Sequence, residues 1–290
     1  MTDPAELAGL LATWLPERRW YATKHLTPRI ESVVVSAPAR VDDGPEFLEV
    51  VVTDRPADAR IVYQVPLVRR AVLPDGVHQG AVLGRDREGR WLTDAAHESA
   101  YLRRLLPRTG IAETRVLAGE QSNTSVICES ADGPFDVIVK LFRVLDEGSN
   151  PEVDLQEALS GAGSPHVPRF VGAGWGGWTR GGSGEFGHLW VASEFIDGAE
   201  DAWRVAGAAV ARGEEVDAEG LGRAVAEVHL ALARELPTVS VDDAGLAAVV
   251  GAWRQRARLA NAAVPALAQY RERVARVYEA AEHAAWPELQ

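Results

Sequence analysis

A chain of 290 residues with 42 acidic and 30 basic side chains carries a formal charge of −12. A net acidic surface repels a phosphate backbone, which argues against a nucleic-acid partner. Cys128 is the only cysteine, so a disulfide framework and a cysteine-based zinc site are excluded.

Hydrophobic residues make up 47% and charged residues 25%, the balance of a chain that buries a core. No apolar run approaches the roughly 20 residues that span a bilayer, so no membrane partner is expected. The first residues lack the basic start of a signal peptide, and the lone cysteine suits a reducing compartment. A cytoplasmic protein is the expectation.

Asp3-Pro4-Ala5-Glu6 reads as a helix start, with Asp3 as N-cap and Pro4 at the first helical position. Leu7, Leu10, Leu11, Trp14 and Leu15 follow at helical spacing, and Pro16 ends the pattern. Strands are predicted over 30–36, 46–53 and 60–68, with Asp75-Gly76 as a turn between further short strands. A helix over 97–106 would bury Tyr101, Leu102, Leu105 and Leu106.

A second β-rich stretch starts near Arg115. Residues 124–130 and 135–143 form a predicted hairpin across Ala131-Asp132-Gly133-Pro134. A helix over 151–159 follows, with Asn150 as N-cap and Pro151 behind it. Short strands are expected near 170–173 and 189–195, joined by a mobile glycine-rich loop over 174–187. From Asp201 onward the pattern is helical. Leu221, Val225, Val228, Leu232 and Leu236 share one helix face, and Tyr270, Val274, Val277 and Tyr278 share another.

Four segments carry chemistry. Lys140 lies in a run apolar enough to be buried on both faces, where an ammonium needs an anionic partner. A phosphate or an acid of the next helix (Glu152, Asp154 or Glu157) would serve, which is the kinase arrangement. A lysine snorkelling from an edge strand into water is the alternative. The turn Gly119-Glu120-Gln121-Ser122-Asn123-Thr124-Ser125, just before the strand that pairs with Lys140, could cradle phosphates or be a plain polar turn. Glu194, Phe195 and Ile196 form either an adenine-binding hinge or a plain connector. Arg18 and Arg19 beside Trp20 and Tyr21 read as a structural clamp. The seven histidines show no metal-ligand spacing, so no histidine-based metal site is expected.

Taken in order, LPERRWYATK, GEQSNTSVI, IVKLFRVLDEGSNPEVDL, HVPRFVG, SEFIDGAEDAW and LGRAVAEVHLAL resemble the bacterial maltokinase family over nearly the whole chain. That resemblance implies an α+β fold: a small cap domain over 1–100, then a protein-kinase-like (aminoglycoside phosphotransferase-like) N-lobe over 101–200. The first helices of a helical C-lobe would follow over 201–290. It implies ATP with Mg²⁺ as cofactors and maltose or a similar sugar as the substrate, phosphorylated at its anomeric hydroxyl.

Carried over, Lys140 would hold nucleotide phosphates, Ser122, Asn123, Thr124 and Ser125 would form the phosphate loop, and Glu194, Phe195 and Ile196 the hinge. The acid partner of Lys140 would fall at Asp154, where the family usually has glutamate, with Glu157 as substitute. The family's catalytic His-Gly-Asp loop and later Asp-Phe-Glu-like motif are not in the sequence. The expectation is a chain cut at Trp286–Gln290, about where the family would turn into its catalytic loop, and inactive alone. A kinase for glucosamine or another sugar, and a non-catalytic nucleotide- or partner-binding protein, are the competing readings. The exposed faces of the last helices would favour association.

Overall fold

The computed structural model describes residues 3–36, 39–40, 44–56, 60–118, 122–237 and 242–284. Trp286–Gln290 and Gly119–Gln121 lie outside the described residues. The chain divides into two compact units, Met1–Ala218 and Glu219–Gln290.

The first unit opens with α1 (Pro4–Trp14), capped by the Asp3 carboxylate, which accepts from the Ala5 N–H at 3.0 Å. Leu7, Leu11, Trp14 and Leu15 are buried, as the helical spacing predicts. Two antiparallel sheets follow. Their strands are β1 (Ile30–Val35), β2 (Ala39–Arg40), β3 (Glu46–Leu48), β4 (Val50–Asp54), β5 (Ile61–Gln64), β6 (Leu67–Arg70), β7 (Val82–Arg85) and β8 (Trp91–Asp94). The first sheet has the order β1-β4-β5 and the second β2-β3-β6-β8-β7.

Two strands predicted as continuous are each broken in the middle. The 46–53 strand divides at Glu49 into β3 and β4, and the 60–68 strand divides at Val65-Pro66 into β5 and β6. Pro66 has no N–H to continue a ladder. Its carbonyl accepts from the Ala95 N–H at 2.9 Å, while the Val65 N–H donates to the Val50 carbonyl at 2.8 Å. The chain therefore leaves one sheet and enters the other at the same level in both strands.

A single 3-10 turn, Ala95–His97, leads into α2 (Ser99–Leu105), later by two residues than the predicted start. The Asp94 carboxylate holds that turn by accepting from the Ala96 N–H. Tyr101, Leu102 and Leu106 are buried.

The third sheet holds β9 (Ile111–Val116), β10 (Asn123–Ser130), β11 (Val137–Phe142), β12 (Phe170–Arg180) and β13 (Ser183–Glu194), in the antiparallel order β12-β13-β11-β10-β9. One face of β11, through Val137, Val139 and Leu141, joins a core with Val126, Tyr101, Leu102 and Phe47. On the other face, Phe142 and Val191 pack against Val153 of α3 (Pro151–Gly161). Asn150 caps α3 by accepting from the Glu152 N–H at 2.9 Å.

The Gly174–Gly187 segment is not a loop. It forms the outer halves of β12 and β13, paired from Phe170↔Ser193 to Arg180↔Ser183, with Gly181 and Gly182 in the turn at positive φ. The glycines are there for space rather than flexibility. A Cβ at Gly174 would lie 2.0 Å from the Trp190 indole nitrogen, and one at Gly187 would lie 2.6 Å from the Asp146 carbonyl oxygen. Period-2 patterning cannot register a strand whose inward positions have no side chain.

After β13 comes α4 (Ala202–Arg212), closed by Gly213 in the left-handed region. The second unit holds α5 (Ala218–Glu235), α6 (Asp243–Ala263) and α7 (Arg271–Glu282). α7 runs back along α6, with Trp253 against Tyr278 and the Arg254 guanidinium bridged to Glu282 at 2.5 and 2.7 Å. Leu221, Val225, Tyr270 and Val277 are exposed. Among the described residues no helix is long and apolar enough to cross a membrane.

Gly187→Ala is expected to destabilise the first unit by about 2 kcal/mol, because the added methyl meets backbone oxygens that cannot rotate away. Gly184→Ala, with nothing within 4 Å of its Cβ, should shift stability by no more than about 0.5 kcal/mol. Urea unfolding of the two variants checks the contrast.

Candidate functional site

β11 is the central strand of the third sheet, so Lys140 is not an edge-strand lysine. Its register places it opposite Ser125 on one side and Val191 on the other. The ammonium donates to both carboxylate oxygens of Glu152, at 2.9 and 2.8 Å. The lysine side chain is 25% exposed and the glutamate 45%. An ion pair this wet contributes about 0–1 kcal/mol. It orients the ammonium more than it stabilises the fold.

The partner expected at Asp154, or at Glu157, is therefore Glu152. Burial of Val153 and Leu159 fixes the rotation of α3 about its axis. That rotation brings Glu152 to Lys140. Asp154 instead accepts from the Ser149 hydroxyl. Together with Glu157 it acts electrostatically on His188.

Of the predicted phosphate loop, Ser122 is exposed, whereas Asn123, Thr124 and Ser125 are already strand residues of β10. Strand alternation splits them. Asn123 and Ser125 share the Lys140 face. Thr124 faces the opposite side, where its hydroxyl accepts from the Arg143 Nε at 2.8 Å. The hinge residues are likewise divided. The Glu194 N–H donates to the Arg169 carbonyl and the Phe195 N–H to the Asp136 carbonyl, both at 2.8 Å. Ile196 is exposed.

Sequence reasoning missed Arg143, a fully buried guanidinium. It pairs with Asp94 of β8 at 2.6 Å, reaches Thr124 of β10 and the Gln64 carbonyl of β5, and lies 4.7 Å from the centre of the Trp20 ring. The main chain joins in. The Gln64 N–H donates to the Arg143 carbonyl at 2.9 Å and the Leu145 N–H to the Val62 carbonyl at 2.8 Å. The available signal was a cation placed directly after an apolar strand, at an even spacing from Val139 and Leu141 that puts it on their buried face.

The Arg18 half of the predicted clamp is formed. Its guanidinium lies 4.6 Å from the Trp14 ring centre, donates to the Trp14 and Gly80 carbonyls and pairs with Glu17. Arg19 is exposed and makes no ion pair among the described residues. Burial pushes the Cys128 thiol up to about 12, with the Asp136 carboxylate adding to it, so no thiolate nucleophile exists at neutral pH. Among the described residues no group of His, Cys, Asp and Glu stands close enough to hold a metal ion.

A buried arginine thus ties the N-terminal pair of sheets to the third sheet. Residues 14–98 match the family model of the maltokinase N-terminal cap domain. The chain thus has a maltokinase-like N-terminus, and the matched span contains Arg18, Trp20, Gln64 and Asp94.

Arg143→Met should cost about 3–5 kcal/mol in urea unfolding, since it leaves the Asp94 carboxylate buried without its cation. Adding Asp94→Leu should recover part of that loss, and a double-mutant cycle measures the coupling.

Burial holds His97 below its ordinary value of 6.5, against the opposing pull of Asp94 and with the help of His78, Arg143 and Arg18. Burial also lowers His188, against Asp154 and Glu157. Between the depressed native value and 6.5 the unfolded chain binds protons that the native protein does not. Stability is therefore fully present above pH 6.5 and falls as the pH drops through the native values. Thermal melts at stepped pH should show the decline, and His97→Gln should flatten it.

Proposed function

We propose that this chain is the cap and nucleotide-binding portion of a maltokinase-like sugar kinase. The observation that supports the reading most is Lys140, held by a helix glutamate on the central strand of a five-stranded antiparallel sheet. A lysine on a strand, oriented by a carboxylate from the next helix, is what kinases use to grip nucleotide phosphates. The pair is wet enough for a phosphate to approach, and Ser125 stands beside it on the same face.

In this reading Lys140 binds a phosphate oxygen of ATP while Glu152 keeps the ammonium pointed at it. Ser122, Asn123 and Ser125 line the approach. With the Glu194 and Phe195 N–H groups engaged inside the protein, adenine contacts fall to Ile196 and to backbone carbonyls. Mg²⁺, arriving with ATP, neutralises phosphate charge. The sequence contains no His-Gly-Asp and no Asp-Phe pair, so the role assigned to these 290 residues is binding. Transfer to maltose or a similar sugar belongs to an enzyme that also has those groups. The exposed apolar faces around Leu221 and Val225 favour association through the last helices.

Isothermal titration with ATP and Mg²⁺ tests the nucleotide site. Lys140→Ala should weaken binding roughly tenfold to a hundredfold, the range of a charge-assisted hydrogen bond of about 1.5–3 kcal/mol. Glu152→Gln should weaken it less, and Asp154→Asn should leave it unchanged. An unaltered affinity in Lys140→Ala would count decisively against the reading.

A further inference from the structure

Where the cap meets the third sheet, a cavity of about 560 Å³ opens beside the start of β10. Its cap wall includes Arg18, Arg19, Trp20, His78 and His97, and its sheet wall runs from Val116 to Ala118 and includes Asn123 and Thr124. The volume falls in the range of small-molecule sites and is far larger than a lone ion needs.

The carboxylates in this wall are already used. Asp94 is taken by the Arg143 guanidinium and the Ala96 N–H. Glu17 is paired with Arg18. What remains is cationic or donating. Arg19 has no ion pair among the described residues. His78 stacks on His97 with ring centres 5.4 Å apart and planes within 10°. The His78 Nδ1 accepts from the Gly80 N–H at 3.1 Å, which places the ring proton on Nε2 and leaves a donor there.

Gly80 shows that the wall is built to converge. A Cβ there would stand 2.9 Å from both an Arg18 nitrogen and the His78 ring. An added methyl at Gly80 would push those two side-chain ends aside. The apolar part of the lining, Trp20, Val116 and Leu117, suits the carbon skeleton of a ligand rather than a second charge.

We propose that this cavity is an anion site for a phosphate monoester of sugar-phosphate size, separate from the site at Lys140. Neither Lys140 nor its cross-strand neighbour Ser125 lines the cavity, and Asn123 at the start of β10 is the one residue it shares with the approach to Lys140. The site uses cap residues that the nucleotide reading does not, so either can fail without the other.

The test is calorimetry on the full 290-residue chain with glucose 1-phosphate, inorganic phosphate, glucose and ATP·Mg²⁺ as probes. Glucose 1-phosphate should bind more tightly than inorganic phosphate, and glucose should not bind. Arg19→Ala, at an exposed position that leaves folding intact by thermal melt, should weaken glucose 1-phosphate roughly tenfold, with Arg19→Lys recovering part of it. Lys140→Ala should leave that affinity unchanged while weakening ATP.

Three results would overturn the proposal: no binding of glucose 1-phosphate up to about 10 mM, an affinity indifferent to Arg19→Ala, or loss of binding in Lys140→Ala. Competition by ATP·Mg²⁺ against glucose 1-phosphate in the Lys140→Ala variant would assign the cavity to the nucleotide's phosphates and overturn the sugar-phosphate identity. Equal affinity for inorganic phosphate and the ester would do the same.

Discussion

Everything in the first unit is arranged around a guanidinium that water cannot reach. Burying a charge costs several kcal/mol unless its partners are all in place. For Arg143 those partners come from separate elements. Trp20 follows α1, Gln64 ends β5 in the first sheet, Asp94 ends β8 in the second, and Thr124 lies in β10 of the third. None of these segments can shift alone without stranding a polar group. One side chain therefore locks three sheets together, and the maltokinase-like cap is fastened to the body by chemistry as well as by apolar contact.

The same constraint places the candidate site. Residues 143–145 run beside β5 and extend the first sheet, which sets the height of β11. Lys140 sits three residues earlier, an odd step, so it must emerge on the opposite face. α3 then covers that face through Val153 and swings Glu152 onto the ammonium. Strand register fixed at the buried end thus determines where the ammonium stands at the other.

Much of this order was legible before any coordinates. N-caps at Asp3 and Asn150, each followed by proline, marked their helices because the cap needs a particular side chain. The hairpin of β10 and β11 showed itself through its Asp-Gly turn and apolar run. What escaped were features set by tertiary packing. The outer halves of β12 and β13 are written in glycine because Trp190 and Leu189 occupy the space, and glycine reads as loop. The breaks at Glu49 and Pro66 depend on a sheet change that no periodicity encodes. Choosing Glu152 over Asp154 required the rotation of α3, which differs by about 100° between neighbouring residues. Arg143 was visible as a cation after an apolar strand, but its four partners lie up to 123 positions away in sequence, at Trp20.

Two cations, Lys140 in β11 and Arg143 just after it, show why one pair is structural and the other is suited to a ligand. Arg143 and Asp94 have side chains 0% and 4% exposed. Taking either away leaves a bare charge in the core, so the pair cannot exchange partners during function. Lys140 and Glu152 are 25% and 45% exposed. Water screens them, the net energy of the pair is about 0–1 kcal/mol, and a phosphate bearing more negative charge can join or replace the carboxylate at little cost. A strand and the residue that follows it, carrying one cation of each kind on opposite faces and three residues apart, fasten the cap while keeping an ammonium available. Availability of that ammonium follows from the weakness of its pairing, and its position follows from the strength of the other.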